Sequence, residues 1–231
     1  MTEYAFPPPQ VVAVPITGSN ASFAVRRVFC VGRNYADHAR EMGANPDREP
    51  PFFFTKPADA VVPATGTLAY PLLTADLHHE IEMVIAIGKE GRQIEPQDAL
   101  THVLGYCVGV DLTRRDLQAV AKKMNRPWDW AKGFDESAPV TPIRLASEIG
   151  HPGVGRIWLS VNGETRQTGD LADMIWPVAD IISQVSQAVV IKPGDLIFTG
   201  TPAGVGALKP GDKITGGVDG IADFQFEIGN A

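Results

Sequence analysis

Three acidic residues at the ends of apolar segments are candidate metal ligands. Glu80 and Glu82 are two residues apart in a segment that alternates like a β-strand, so their side chains share a face about 6.5–7 Å apart along the strand. Asp111 ends the apolar run Val103–Val110 and is a natural third ligand. Three carboxylates without an adjacent thiol favour Mg²⁺, Mn²⁺ or Ca²⁺ over zinc. The spacing is equally compatible with two glutamates that face water.

His38 and Glu41 form a second pair with catalytic chemistry. Residues three apart on a helix share a face, so the imidazole and the carboxylate can form a hydrogen bond. A carboxylate partner makes a histidine more basic and fixes its tautomer, which suits proton removal from water. An ordinary surface pair has the same spacing. However, the pair precedes a polar, proline-rich segment, residues 45–51, that we interpret as a mobile flap of the kind that covers active sites.

A few basic and polar residues lie in informative positions. Lys132 follows an aromatic segment that contains Trp128 and Trp130, where a partly desolvated ammonium group can stabilise an enolate or a carboxylate. The alternative is a surface lysine that extends its charge into water. Arg115 and Gln118 are three residues apart on a helix predicted after Asp111, so both can face one site. Two ordinary surface residues of a helix, with no role in a site, would have the same spacing.

Several other site types are disfavoured. The glycine-rich segment 200–206 lacks the Lys-Ser/Thr of a phosphate loop and the spacing of a dinucleotide fold, but its backbone N–H groups can approach a ligand carboxylate. No Gly-x-Ser-x-Gly occurs, and Cys30 and Cys107 lie in apolar runs that disfavour the thiolate. His79 begins a zinc-protease-like motif that Met83 breaks. We therefore expect packing or hydrogen-bonding roles for His78 and His79.

The composition is that of an ordinary globular protein. The chain has 231 residues, of which 44% are hydrophobic and 20% charged, with a net charge of −7. Its 23 glycines and 19 prolines favour short strands and turns over a helical bundle. The acidic balance argues against a nucleic-acid partner, and no apolar run approaches the roughly 20 residues that span a membrane. Two cysteines without a disulfide framework and an N-terminus unlike a signal peptide indicate a cytoplasmic protein.

Strands make up most of the elements that must position these residues. The pattern predicts strands at residues 28–31, 52–54, 79–87, 103–110, 196–199, 213–215 and 222–228, and a hairpin at 156–167 around Asn162-Gly163. It predicts helices at residues 35–42 (with Asn34 as cap and Gly43 at the end), at 96–102, from Asp111 or Thr113 to Lys123, and at 173–189. These elements indicate a β-rich α+β domain without an internal boundary.

Six segments, taken in order, resemble the fumarylacetoacetate hydrolase family. They are VGRNYADH (31–38), LHHEIE (77–82), DLTRRD (111–116), WAKGFD (130–135), VNGE (161–164) and TGTPAGVG (199–206). They span almost the whole chain, whose length resembles that of the short acylpyruvate and fumarylpyruvate hydrolases. The resemblance implies a mixed-sheet β-roll of the family's C-terminal-domain type, with an N-terminal segment, residues 1–27, packed on a catalytic domain, residues 28–231.

The resemblance also implies roles for ten residues. Glu80, Glu82 and Asp111 would hold Mg²⁺, with Mn²⁺ or Ca²⁺ as alternatives. His38 and Glu41 would be the base on a lid, Lys132 the active-site lysine and Gln118 the residue that orients water. Arg33, Arg115 and Thr201 would contact a small 2-oxo acid. The resemblance further implies a homodimer.

The implied reaction is hydrolysis of the C–C bond of a 3-acylpyruvate, such as fumarylpyruvate from aromatic catabolism, to pyruvate and a carboxylic acid. The same site could decarboxylate or tautomerise oxaloacetate, or isomerise a dienoic 2-oxo acid, because all these reactions pass through an enolate. A non-catalytic scaffold that binds a metal or a carboxylate is a third possibility, which the intact set of residues disfavours.

Overall fold

Short strands dominate the computed structural model, which describes residues 3–41 and 50–231. The strands are β1 (Ala13–Pro15), β2 (Ser22–Ala24), β3 (Arg27–Gly32), β4 (Phe52–Lys56), β5 (Val61–Pro63), β6 (Thr65–Leu68), β7 (Leu77–His79), β8 (Ile81–Ile87), β9 (Val103–Val110), β10 (Thr113–Arg114), β11 (Ala138–Val140), β12 (Arg144–Leu145), β13 (Arg156–Val161), β14 (Glu164–Asp170), β15 (Asp195–Phe198), β16 (Gly206–Leu208), β17 (Lys213–Val218) and β18 (Ala222–Ile228). The helices are α1 (Ala36–Glu41), α2 (Pro96–Ala99), α3 (Arg115–Lys123), α4 (Asp129–Lys132), α5 (Ala146–Ile149) and α6 (Val178–Ala188), and 3₁₀ turns lie at Ala58–Ala60, Leu100–His102 and Leu171–Asp173.

The strands of the described ranges form four sheets. The largest has the order β4-β3-β15-β8-β9-β11-β5, with β12 also paired to β9, and the second has the order β14-β13-β17-β18-β6. The order β10-β7-β16 forms a third sheet and β1-β2 the fourth. Three pairs are parallel, β3 with β15, β5 with β11 and β6 with β18, and the other pairs are antiparallel. The structure therefore confirms the predicted α+β fold of mixed sheets.

Strand β8 lies at the centre of the fold and is buried along its whole length. Ile81, Met83 and Ile85 belong to the larger hydrophobic core, whereas Val84 and Ala86 belong to a second core on the other face. Glu82 is two residues before Val84 on the same strand, so its side chain lies on this second face. An acidic side chain at this position is enclosed by protein instead of projecting into water.

Several predicted elements are confirmed, with bounds that match the prediction or differ from it by a few residues. Strands β9 and β18 have the predicted bounds, and β3, β4 and β17 extend beyond theirs by one to three residues. The hairpin β13–β14 turns at Asn162 and Gly163, whose φ angles of 53° and 82° are the left-handed values of a type I′ turn. The helix predicted up to Lys123 is present as α3, but its predicted start at Asp111 or Thr113 was wrong, because Thr113 belongs to β10 and the residue at the cap position is Arg114.

Two predicted elements were wrong in detail. The predicted strand 79–87 is interrupted at Glu80, because β7 pairs with β10 and β16 while β8 pairs with β9 and β15, so the chain changes sheets there. The helix predicted from Asp173 begins only at Val178. Pro177 at its start is extended, and Asp173 belongs to a separate 3₁₀ turn that Asp170 caps.

The start of α1 also differs from the prediction. The helix begins at Ala36, and the Asn34 side chain donates to the backbone oxygens of Trp176 and Thr199 instead of capping it. Asn34 thereby ties the end of β3 to two distant segments. Met42, Gly43 and most of the proposed flap, residues 45–49, lie outside the described residues.

The N-terminal strands pack on the rest of the chain. Val14, Phe23 and Val25 belong to the second core, and Thr17 N donates to Ile143 O at 2.9 Å. The division into residues 1–27 and 28–231 stays a prediction. Both cysteines are free and buried, and burial raises the pKa of Cys107 to about 12. Among the described residues, no helix has the length and apolarity to cross a bilayer.

Candidate active site

The register of β8 and β9 brings the three acidic residues together. Ile81 of β8 pairs with Val110 of β9 at the end of these two strands, so the next residues, Glu80 and Asp111, are neighbours. Asp111 N donates to Glu80 O at 2.8 Å. Ligand oxygens of Glu80, Glu82 and Asp111 all lie within 4.8 Å of one another. Their exposed fractions are 5%, 2% and 0%, which excludes the alternative in which the glutamates face water.

Three cations contact two of these carboxylates. Lys132 Nζ lies 2.8 Å from Glu80 Oε2 and 2.6 Å from Asp111 Oδ2, Lys56 Nζ lies 2.8 Å from Asp111 Oδ1, and Arg115 Nη2 lies 2.5 Å from Glu80 Oε1. Burial alone would raise the pKa of Glu80, but the charges of Lys132 and Arg115 outweigh it and hold the pKa well below the usual range. Lys132 is only 1% exposed, so the alternative of a surface lysine is excluded.

Glu82 has a different environment. It accepts a hydrogen bond from Gly200 N at 2.6 Å, and none of the described basic side chains forms an ion pair with it. Burial, followed by the charges of Asp111 and Glu80, raises its pKa well above the ordinary value. A divalent cation would relieve this excess of negative charge. Because all the donors are carboxylate oxygens, the site suits Mg²⁺, Mn²⁺ or Ca²⁺.

The His38–Glu41 pair forms as predicted from the helix spacing. His38 Nδ1 lies 3.2 Å from Glu41 Oε2, and the His38 side chain is 8% exposed. Burial lowers the pKa of His38 below its ordinary value, although the charges of Glu80 and Glu41 act in the opposite direction. The imidazole is therefore neutral near pH 7, which is the state that a general base requires.

The glycine-rich segment holds carboxylates of the protein itself. Gly200 N donates to Glu82, and Gly204 N lies 3.2 Å from both carboxylate oxygens of Glu41. Both glycines have a φ of 94°. A Cβ added to Gly200 would lie 2.7 Å from Asn34 Cβ, and a Cβ added to Gly204 would lie 2.1 Å from Arg166 O. The backbone of this segment thus fixes one member of the acidic cluster and the partner of His38.

One pocket unites most of the predicted site. Eight of the ten predicted residues line it: Arg33, His38, Glu80, Glu82, Arg115, Gln118, Lys132 and Thr201. The other two, Asp111 and Glu41, contact lining residues from outside it. Arg115 Nη1 donates to Gln118 Oε1 at 2.7 Å, so the amide nitrogen of Gln118 is left as a donor.

Four further residues belong to this site and escaped the sequence analysis. Lys56 and Thr113 lie against Asp111 and Lys132, and Gln167 donates to Thr201 Oγ1 at 2.8 Å while it accepts from His79 Nδ1. Lys122 lines the pocket. Lys122 had a sequence signal, because it follows Arg115 and Gln118 at the i, i+3, i+7 spacing of one helix face. Thr113 lies only two residues after Asp111 and contacts its backbone oxygen. Lys56 and Gln167 are brought in by long-range packing.

The mixed sheets gather buried carboxylates, a buried histidine and a buried lysine at one pocket. This arrangement is typical of enzymes that use a hard divalent cation. Within this class, the chain belongs to the fumarylacetoacetate hydrolase family. The family profile described as fumarylacetoacetate (FAA) hydrolase C-terminal matches residues 27–228.

Related proteins narrow the kind of enzyme. A solved structure from Burkholderia cenocepacia, described as a "putative fumarylpyruvate hydrolase", is 68% identical with a TM-score of 0.94 and covers 100% of both chains. The fumarylpyruvate hydrolase of Pseudomonas aeruginosa, in complex with Mn²⁺ and pyruvate, is 50% identical with a TM-score of 0.97 and covers 99% of this chain and 100% of its own. The mouse mitochondrial oxaloacetate tautomerase FAHD1 is 41% identical over 88% of this chain and 91% of its own. The protein is accordingly a family enzyme of the hydrolase or the related tautomerase or decarboxylase kind.

Proposed function

We propose that the enzyme hydrolyses the C–C bond of a 3-acylpyruvate, fumarylpyruvate or a close analogue, to pyruvate and a carboxylic acid. The observation that carries this proposal is a buried His38, hydrogen-bonded to Glu41, in the same pocket as Glu80, Glu82 and Lys132. A base for water beside a cation site is what hydrolysis of a 2-oxo acid requires. The relative that binds Mn²⁺ and pyruvate supports the same assignment.

The acidic cluster would hold the metal. Glu80, Glu82 and Asp111 are the ligands we propose, with Mg²⁺ or Mn²⁺ as the ion. When bound, such an ion supplies Lewis acidity toward the carboxylate and carbonyl oxygens of a 2-oxo acid. Lys132 already contacts two of these carboxylates, so its ammonium group lies where negative charge on the substrate would develop.

The remaining steps belong to the protein side chains. Glu41 accepts the Nδ1 proton of His38, which leaves Nε2 as the basic nitrogen. Nε2 takes a proton from water as the water oxygen attacks the acyl carbonyl carbon. The bond from that carbon to the methylene of pyruvate then breaks, releasing the carboxylic acid and a pyruvate enolate, and the proton held on His38 Nε2 returns to the enolate carbon to give pyruvate. The amide nitrogen of Gln118, which has no acceptor among the described residues, can donate to the water oxygen and orient it.

Oxaloacetate tautomerisation or decarboxylation is the second candidate. It is favoured by the mouse tautomerase and by the mitochondrial oxaloacetate decarboxylase of Dictyostelium discoideum, which is 41% identical over 88% of this chain and 94% of its own. Both reactions need the enolate-stabilising groups, but neither needs an attacking water. The two candidates therefore differ in whether the His38–Glu41 pair activates water.

A comparison of three substrates tests the proposal. The protein is incubated with Mg²⁺ or Mn²⁺ and, separately, with fumarylpyruvate, acetylpyruvate or oxaloacetate, while enol absorbance and pyruvate release are followed. We expect fumarylpyruvate to disappear with release of one pyruvate per molecule. Loss of oxaloacetate without cleavage of either acylpyruvate would refute the hydrolase assignment. The cytoplasmic location, the role in aromatic catabolism and the homodimer stay predictions, and light scattering of the purified protein tests the last.

A further inference from the structure

Two cations at the outer end of the pocket have no carboxylate partner among the described residues. Arg33 and Lys122 both line the pocket, together with Arg115 and Lys132. Arg115 and Lys132 form ion pairs with Glu80. No ion pair between described residues includes Arg33 or Lys122. Each of the two instead lies over an aromatic ring: Arg33 Cζ is 5.5 Å from the centre of Phe52, and Lys122 Nζ is 5.4 Å from that of Trp128.

The aromatic rings connect these cations to the reacting end of the pocket. Lys132 Nζ lies 5.0 Å from the ring centre of Phe54, and the rings of Phe54 and Trp128 are 5.7 Å apart. Trp128 meets Phe52 edge to face at 5.3 Å. Burial increases along this wall, from Phe52 at 36% exposed to Lys132 at 1%. One apolar wall therefore runs from the buried lysine to the two outer cations.

The electrostatics of Lys122 indicate what this end of the pocket lacks. Burial lowers the pKa of Lys122, and the positive charges of Arg115 and Arg33 lower it further, although the charge of Glu80 acts in the opposite direction. Clustered, partly desolvated cations without an anionic partner are favourable only when an anion completes them. An apolar wall that ends in such a cluster suits an unbranched acyl chain that ends in a carboxylate.

We infer that Lys122, with Arg33, forms a subsite for a terminal carboxylate on the acyl group, so that the enzyme selects dianionic acylpyruvates over neutral ones. The inference rests on the proposed function, because the acyl group is the part of the substrate that would extend along Phe54 and Trp128. Fumarylpyruvate has such a carboxylate and acetylpyruvate lacks it.

The test compares an anionic and a neutral substrate in matched variants. Lys122→Met keeps the length of the side chain and removes its charge, Lys122→Arg restores a charge, and Lys123→Met removes the charge of the exposed neighbouring lysine. A hydrogen bond to a charged group contributes enough for about a 10- to 100-fold effect. We expect Lys122→Met to lower kcat/KM for fumarylpyruvate relative to acetylpyruvate by that factor, Lys122→Arg to recover most of it, and Lys123→Met to keep the wild-type ratio.

Two uncleavable analogues separate this inference from the proposed reaction. 2-Oxoheptanedioate and 2-oxoheptanoate differ only in the terminal carboxylate, and both lack the second carbonyl group that hydrolysis requires. In calorimetric titrations with Mn²⁺ present, the wild type should bind the dianion about 10- to 100-fold more tightly, and Lys122→Met should remove that difference. If the wild type cleaves neither acylpyruvate, the proposed function fails while the titrations still decide the inference. The inference would be overturned if Lys122→Met lost affinity equally for both analogues, or if it kept the wild-type preference for the dianion.

Discussion

Replacing Glu82 by glutamine removes a buried charge from the candidate metal site and nearly preserves its shape. Glu82 is 2% exposed and has no cation partner among the described side chains. Its carboxylate accepts the N–H of Gly200 at 2.6 Å, a bond that the amide oxygen of glutamine can keep. Without metal, the variant should therefore be more stable than the wild type. With metal, it should be less stable because it lacks one ligand.

The expected gain follows from the geometry. Two unit charges 4.8 Å apart repel by about 3.5 kcal/mol at an effective dielectric constant of about 20, and the Gly200 N–H and the Lys132 ammonium offset part of this repulsion. The linkage between proton binding and folding sets an upper limit on this gain in stability. Because the pKa of Glu82 is raised from 4.5 in the folded state, its carboxylate destabilises the fold increasingly as the pH rises above 4.5. Between pH 4.5 and 7 this loss is at most about 3.4 kcal/mol.

Thermal unfolding measures this effect. We expect Glu82→Gln to raise the free energy of unfolding in EDTA at pH 7 by about 1–3 kcal/mol, or Tm by about 2–12 °C, with a smaller gain at pH 5. Mn²⁺ at about 1,000 times its Kd for the wild type should stabilise only the wild type, by about 4.1 kcal/mol, and so reverse the order. Glu95→Gln, at an exposed position, is the control. A variant that is less stable in EDTA at pH 7, or whose gain is the same at pH 5, would refute the reasoning.

Three further predictions test single groups of the site. His38→Gln should lower kcat about 10²- to 10⁴-fold while the Mn²⁺ affinity measured by calorimetry stays unchanged, and a fully active variant would contradict a base role. Because burial lowers the pKa of His38, the acid limb of kcat/KM should have its midpoint below pH 6.5, and Glu41→Gln should move it lower still. Lys56→Met should cost about 1–3 kcal/mol in urea unfolding because Asp111 Oδ1 loses its 2.8 Å partner while Lys132 still pairs with Oδ2, whereas the exposed Lys209→Met should cost almost nothing.

The parts of the site that could be predicted depend on local periodicity. The two-residue spacing of Glu80 and Glu82, the position of Asp111 after an apolar strand and the helix spacing of His38 and Glu41 all appear in short windows of sequence. The hairpin at Asn162-Gly163 is equally local, because its turn type needs two left-handed residues. In each case the chemistry of a few neighbouring residues determines their geometry.

The remaining features depend on contacts between distant segments. Periodicity cannot show that the chain changes sheets at Glu80, because β7 and β8 alternate in the same way and differ only in their partners. Lys56 lies at the end of an ordinary strand, and only the fold brings its ammonium group to Asp111. The burial of both faces of β8 likewise arises from two cores built by distant strands, so the spacing alone left open whether Glu82 faces water.

The charges along the pocket imply an order of binding. The buried end contains carboxylates, of which Glu82 has no cation partner among the described residues, whereas the outer end contains Arg33 and Lys122. Without metal, none of the described cations at the buried end is free to pair with a 2-oxo acid carboxylate, because Lys132, Arg115 and Lys56 already pair with Glu80 and Asp111. The outer cations attract anions whether metal is bound or not. A divalent cation would add positive charge at the buried end, so metal should bind before substrate. In calorimetric titrations EDTA should therefore abolish pyruvate binding, and undiminished binding in EDTA would contradict this order.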